Sequence, residues 1–356
     1  MHRPATDAPY TVGSLQGGRP ARGTDDASSS FKASGLAAER RTRPRGAYEA
    51  RFDKRDLRSG AMSPDAPVSV VTDANSGIGR ATAIHLATHG HVVYGTVRST
   101  SRTDKLLAMA DQARVDVRLV EVDVADDTSV RDGFARILTD AGRVDHLVNN
   151  AGIGGNAVVE ECPPSLYLDV MNVNLCGAVR CLQAVLPQMR ERRSGTIINI
   201  TSVVGRFASL AQSPYVASKF ALEGLSDGLA QELAPFGIRV VIIEPGVTKS
   251  AIFAKHADPP PNASGAYDAP YRRMFQFYAS GLAQATDPFE VAEVIRQAIT
   301  TNAPQLRYVT SWGGRELVEG RAAIDDADWV ALGAIDADAE YFSRFRELFD
   351  LDISPD

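Results

Sequence analysis

The 356-residue sequence is poor in cysteine, with three, and in tryptophan, with two, and it has no excess of positive charge. Cys162, Cys176 and Cys181 are odd in number and lack C-x-x-C spacing. That excludes a disulfide framework and a thiolate zinc site, and they read as reduced core thiols of a cytoplasmic compartment. A formal net charge of -6 supplies no global basic field, so neither nucleic acid nor an anionic bilayer is an expected partner. No apolar run approaches the ~18 residues of a membrane span, and no apolar h-region marks a secretory signal. What remains is ordinary for a globular chain: 44% hydrophobic and 23% charged residues, with length enough to bury a large core.

Residues 1–64 differ from the rest. Segments such as GGRPARGTDDASSS and ERRTRPRGAYEARFDKRDLRSG carry no sustained apolar period. They cannot bury enough surface to offset their ordering entropy, so a disordered extension is expected. One reading is an Arg-rich targeting or interaction arm, although Asp25, Asp26, Glu39, Glu49, Asp53 and Asp56 weaken it. The other is a dispensable extension, with Met62 as the true initiator.

From Val68 the pattern changes. The runs VSVVT, HVVYGTV, VDVRLVEVDV, VDHLVNNAG, TIINITS, IRVVIIEPG and LRYVT read as about seven strands. Helical patterns lie between them: one ending at Gly90, one from about Thr128 to Ala141, one from Ser165 to Arg190, one from Tyr215 to Phe236 and one from Pro288 to Thr300. Strand–helix alternation predicts an α/β, Rossmann-type doubly wound parallel sheet over residues 65–312, with the ligand crevice at the carboxyl ends of the strands. The acidic tail, 313–356, carries one aromatic helical pattern, AEYFSRFRELF, expected to pack on the domain or on a partner.

Three signals carry chemistry. Thr72-Asp-Ala-Asn-Ser-Gly77-Ile78-Gly79 follows the first strand and opens a helix. Glycines there let the backbone approach a pyrophosphate at a helix N-terminus, although a glycine turn alone is a weak signal. About twenty residues on, Val97 and Arg98 stand where an acid would read the ribose of NAD. Arg98 instead offers a fork of donors to a 2′-phosphate, which favours NADP(H) over NAD(H). The third signal is a constellation of Asn149-Asn150-Ala151-Gly152, Asn174, Ser202, Tyr215 and Lys219. Tyr-x-x-x-Lys recurs by chance in many chains. On a helix, however, the pair shares one face, and an ammonium beside a phenol favours the phenolate. A tyrosine pKa near 10 otherwise makes a poor base at neutral pH.

Taken together, TDANSGIG, NNAG, Asn174, Ser202, YVASK and Pro245-Gly246, in that order and spacing, resemble the short-chain dehydrogenase/reductase family from Val68 to about Thr310. The stretches VYGTVR and YVASKFALEGLSDGLAQELAPFGIRV are most similar to its 17β-hydroxysteroid and retinol dehydrogenase branch. The resemblance implies that Tyr215 is the acid/base, that Ser202 binds the same substrate oxygen, and that Lys219 holds the nicotinamide ribose. Asn174 would hold a water on the proton path. Thr72, Asn75, Ser76, Gly77, Ile78 and Gly79 would form the cofactor turn. Asp123 and Val124 would meet adenine, Asn150 the nicotinamide-side ribose, Val247 the carboxamide, and Ser250 the place of a nicotinamide-holding threonine. Family habit also implies a homodimer or homotetramer, paired through the Asn174 and Tyr215 helices.

One position departs from the pattern: Asp73 stands where the family has its first glycine. Its Cβ and charge predict a penalty in cofactor affinity, although aspartate tolerates left-handed backbone and its side chain could simply face solvent. After Pro245-Gly246 comes a long segment, about 248–285, read as a lid. Its Phe253, Tyr267, Tyr271, Met274, Phe275, Phe277 and Tyr278 would either cover a hydrophobic substrate or pack the lid onto the body or a neighbouring subunit. His85, His89 and His91 lack metal spacing and read as surface residues. The leading expectation is an NADP(H)-dependent oxidoreductase acting on a small hydrophobic carbonyl or alcohol. The alternatives are a ketoacyl-carrier reductase and a non-catalytic dinucleotide sensor weakened at Asp73.

Overall fold

Period-two alternation explains why the strands are apolar throughout. In TIINI, Ile197 points to one face of a sheet and Ile198 and Ile200 to the other, and all three are buried. A strand covered on both faces needs no polar side. The computed structural model describes residues 65–250 and 262–355. The expected disordered extension over 1–64 lies outside the described residues.

The described elements run β1 (Val68–Val71), α1 (Gly77–Thr88), β2 (Val92–Val97), α2 (Asp104–Ala113), β3 (Arg118–Glu121), α3 (Asp127–Ala141) and β4 (His146–Asn149). They continue with α4 (Pro164–Met171), α5 (Gly177–Arg192), β5 (Gly195–Ile200), α6 (Ser213–Leu233), β6 (Ile238–Pro245) and α7 (Asp268–Ala283). The last are α8 (Pro288–Thr300), β7 (Arg307–Thr310), α9 (Gly314–Ala323), α10 (Asp326–Gly333) and α11 (Asp338–Phe349). The sheet has seven parallel strands in the order β3-β2-β1-β4-β5-β6-β7. On one face α3, α5 and α6 bury Phe134, Ile137, Leu182, Val185 and Leu229. On the other, α1, α2 and α8 bury Leu86, Leu106, Val291 and Ile295. Strand order reverses between β1 and β4, so a crevice opens beyond their carboxyl ends.

Four helices escape the sequence pattern: α2, α7, and α9 and α10 of the tail. The α2 helix buries only Leu106 and Ala110, and it stops on Arg114 at φ 58° rather than on a glycine. Within the segment expected to be a lid, α7 spans 16 residues and starts on Tyr267, whose side chain makes no cap hydrogen bond. Its Tyr271, Met274 and Phe277 are buried, and their helical spacing is masked in the sequence by Pro270 in the first turn. In the tail, α11 packs Tyr341, Phe342, Phe345 and Phe349 into a third cluster with Phe207 and Phe277.

Two further expectations need correcting. By length and composition alone, the continuous helical stretch Pro164–Arg192 contains an 18-residue window apolar enough to cross a membrane, with a mean hydropathy of 1.2. In the fold it is a wall, packed on α3 and α6, and it buries Val170, Asn174, Cys181 and Met189. Of the thiols, Cys176 is exposed and only Cys162 and Cys181 are buried.

Candidate active site

Each group of the constellation arrives at the same sheet edge by a separate local device. Thr72 ends β1 with its hydroxyl accepting from the amides of Asn150 and Ala151, both at 2.9 Å. Asn150 Nδ2 returns a bond to the Thr72 carbonyl at 2.9 Å. These bonds lock the β1 turn to the end of β4. Asn75 donates to the Arg102 carbonyl at 2.7 Å, which ties the same turn to the segment after β2. Asp73 sits at φ 49°, a left-handed conformation usually left to glycine.

The turn fits a dinucleotide. Gly77 has φ +50°, and a Cβ there would come within 2.9 Å of Ser250 Oγ. A Cβ on Gly79 would collide with Asn150 Nδ2 and the Asp73 carbonyl. Ser76 makes no capping bond from its side chain, and Ser76 and Ile78 line a cavity. The first amides of α1 therefore face a crevice, as an anionic pyrophosphate requires.

The catalytic candidates converge on that cavity. Ser202 follows β5 and donates to the Pro245 carbonyl at 3.3 Å. Pro214 lies in the first turn of α6, placing Tyr215 at the helix start and Lys219 one turn on. Tyr215 hydrogen-bonds Ser202, and burial pushes its phenol up to about 12. Lys219 is buried with Nζ 2.9 Å from the Ile200 carbonyl and 5.6 Å from the centre of the Tyr215 ring. Burial brings its ammonium down to about 8, opposed by the charge of Glu223. Burial is the larger influence on the phenol, and the hydrogen bond with Ser202 opposes it.

Behind Lys219, Glu223 and Glu244 share Arg307 at 3.0 and 3.2 Å, and Arg206 pairs with Glu244 at 3.3 Å. Asn174 lies in a π-helical turn, Asn172–Cys176, between α4 and α5; such turns recur at functional sites. Its side chain accepts from the Ile153 amide and donates to the Ile153 carbonyl, both at 2.8 Å. Its amide also reaches Ser218 Oγ at 2.9 Å. Asn174 thus pins the loop after β4 to α6.

Asp73, Ser76, Ile78, Asn150, Ser202, Tyr215, Lys219, Val247 and Ser250 line one cavity of about 140 Å³. The Val247 amide and carbonyl are already engaged by Trp312 and Thr286, so its side chain is what faces the cavity. Arg98, Asp123 and Val124 stand apart, beyond β2 and β3. Arg98 is exposed, Asp123 Oδ1 accepts from the Ala125 amide at 3.0 Å, and the Val124 side chain packs in the core.

Residues the sequence did not single out complete the walls. Asn156, Gln212, Val203, Val204 and Thr248 line the cavity. The Tyr278 hydroxyl donates to Asn156 Oδ1 at 3.1 Å and accepts from Gln212. Their sequence positions carry no motif. Of the aromatic segment, Phe277 and Tyr278 line the cavity, Tyr271 and Met274 pack on the body, and Phe275 is exposed. Phe253 lies outside the described residues.

The histidines also differ from expectation. Glu293 of α8 comes within 2.7 Å of His85, which with His89 makes a cluster of metal-ligand types. Both Glu293 oxygens also accept from Arg296, so the group is an ion-pair network. His91 is half-buried, 2.8 Å from Ser69 Oγ, with its ring 5.5 Å from that of His146.

The comparisons agree with this geometry. Residues 67–260 match the family model for short chain dehydrogenase. Over 257 residues the chain is 36% identical to 17-beta-hydroxysteroid dehydrogenase type 1 of Mus musculus, covering 69% of this chain and 74% of that one. It is 41% identical over 179 residues to 3-ketodihydrosphingosine reductase of Bacteroides thetaiotaomicron, covering 50% of this chain and 63% of that one. A variant of actinorhodin polyketide ketoreductase solved with NADPH superposes with a TM-score of 0.60 at 30% identity, covering 69% of this chain and 96% of that one. The chain belongs to the short-chain dehydrogenase/reductase family, a family of oxidoreductases.

Proposed function

We propose that this enzyme uses NADP(H) to interconvert a hydrophobic ketone or aldehyde and its alcohol, with Tyr215 as the acid/base. The observation that carries the reading is the meeting of Tyr215, Ser202 and Lys219 in one cavity beside the glycine turn. A bound nicotinamide supplies or accepts the hydride. The Tyr215 phenol, neutral at physiological pH, donates its proton to the carbonyl oxygen, and the Ser202 hydroxyl supports the same oxygen. The phenolate left behind is balanced by the Lys219 ammonium, which the Ile200 carbonyl holds at 2.9 Å. In the reverse direction the same groups take the proton back. Asn174 acts by fixing the Ile153 loop.

Apolar substrates are favoured by Val203, Val204, Val247 and Phe277 in the cavity wall, and by relatives named for a 17β-hydroxysteroid and for 3-ketodihydrosphingosine. The cofactor preference rests on Arg98 and on the absence of an acid at the end of β2. It is supported by neighbours solved with NADPH and NADP. A homodimer or homotetramer paired through the α4–α5 and α6 helices accords with Leu168 and Phe220, 70% and 45% exposed on those helices. A cytoplasmic location completes the proposal. The test is consumption of NADPH against a panel of apolar ketones, with NADPH and NADH titrated calorimetrically in parallel. Turnover with tighter binding of NADPH is expected. Binding of neither dinucleotide would overturn the reading and favour a scaffold closed at Asp73.

A further inference from the structure

Glu223 follows Lys219 by one helical turn on α6, so the two side chains share a face. Both are buried, and Glu244 at the end of β6 is buried completely. Arg307 Nε stands between the two carboxylates, 3.0 Å from Glu223 and 3.2 Å from Glu244, while its Nη2 reaches the half-exposed Asp227 at 2.7 Å. Arg206 meets Glu244 at 3.3 Å. Three cations, Lys219, Arg206 and Arg307, thus stand against the three carboxylates of Glu223, Asp227 and Glu244.

Such a cluster is a poor stabiliser. Desolvation of buried ions offsets most of their attraction, and apolar side chains of similar volume would fill the space at less cost. Glu223 Oε1 and Glu244 Oε2 are buried with no hydrogen-bond partner among the described residues. Burial and the charge of Glu223 push the Glu244 carboxyl up. The placement of the cluster gives it a different use. A Cβ on Gly205 would come within 2.9 Å of Glu223 Cγ and 3.0 Å of the Lys219 carbonyl. The turn after Ser202, Val203–Gly205, therefore lies directly on the Lys219–Glu223 turn of α6, and Arg206 ends it. Glu244 precedes Pro245, whose carbonyl accepts from Ser202.

We propose that Glu223 is a positioning residue for the reaction: its carboxylate, clamped by Arg307, keeps the Lys219 ammonium charged while the Tyr215 proton moves. Glu244 holds the clamp and joins it through Arg206 to the Ser202 turn. The titratable and charged groups around Lys219 and Glu223 are Tyr215 and Asp227 of the same helix, Glu244 of β6, Arg206 of the segment after β5 and Arg307 of β7. Of these, Glu223 is the one that opposes the effect of burial on Lys219. This inference rests on the reductase reading of the cavity, and one of its two readouts is independent of turnover.

The Lys219 titration is followed as kcat against pH, with NADPH and the best ketone of the apolar panel. It is followed in parallel as the ¹³Cε resonance of Lys219 in ¹³C-lysine-labelled full-length protein, assigned with Lys219→Arg. In the wild type both midpoints should lie near 8. Glu223→Gln keeps the shape and removes the charge, so both should fall by about one pH unit. At pH 8 that is a loss of about fivefold in kcat, with little change in kcat or NADPH affinity at pH 6. A packing defect would not give that pattern. Arg307→Gln, on the edge strand, frees Glu223 from its counter-ion and should move both midpoints up. That variant keeps the test open if Glu223→Gln does not fold.

Midpoints that stay in place in these variants, or a loss in Glu223→Gln that is uniform from pH 6 to pH 8, overturn the proposal. If no ketone turns over, the reductase reading falls, and the ¹³Cε midpoints alone decide whether Glu223 governs the charge of Lys219.

Discussion

The two sides of the cleft are built by opposite means. The dinucleotide side is main chain: a glycine turn, the N-terminus of α1, and a threonine and an asparagine that bond peptide groups. Its parts lie close together in sequence, and each needs a particular residue type. The opposite wall is hydrocarbon, with Val203, Val204, Val247 and Phe277, drawn from separate stretches of the sequence and interchangeable in kind. Position is held by backbone on one side and by volume on the other. On the proposed function, one side fixes the reaction while the other sets what is reacted on.

The largest expected effect that sharpens this contrast is on the backbone side. Gly79→Val places a branched side chain where even a Cβ collides with Asn150 and the Asp73 carbonyl. NADPH binding should become undetectable by calorimetry while circular dichroism still shows a folded α/β protein. Retained affinity would mean that the turn does not hold the pyrophosphate.

The next effect is on pH. Burial lowers Lys219 to about 8, so its ammonium is lost as pH rises through that value. Carbonyl reduction, measured as kcat, should fall with a midpoint near there. A flat profile to pH 10 would detach Lys219 from the reaction.

Stability should show an opposite limb. Burial, with repulsion from His89 and His91 respectively, brings His91 down to about 4 and His146 to about 3. Between those values and the unfolded value near 6.5 the unfolded chain binds more protons, so stability is lost as pH falls through that window. The loss from pH 7 to pH 5 should be about 2 kcal/mol for each histidine in urea titrations, and His146→Phe should remove about half of the total. An equal loss in that variant would assign the acid limb to other groups.

The smallest effect concerns Asp73. Replacing it with glycine removes a Cβ at φ 49° and a charge at the crevice. NADPH should bind a few-fold more tightly, worth about 1 kcal/mol. Weaker binding would show that Asp73 helps to hold the turn.

The same contrast decides what was legible in the sequence. The sheet, its crevice and the Ser202, Tyr215 and Lys219 set follow from motifs whose residue types are dictated by backbone approach and proton transfer. The apolar wall of the cavity is written only in Val203, Val204, Val247 and Phe277, whose partners depend on tertiary packing. The α2 helix was illegible for a local reason: it buries two residues and ends on an arginine. Burial at Tyr215 was also illegible in the sequence. Spacing revealed the nearby lysine but not the burial that raises the phenol.

The most direct test is the turnover of an apolar ketone by Tyr215→Phe, with NADPH affinity measured on the same preparation. The account predicts unchanged NADPH binding and a loss of about 10²- to 10⁴-fold in kcat, as for removal of a general acid. Turnover within a few-fold of wild type, with binding intact, would contradict Tyr215 as the proton donor.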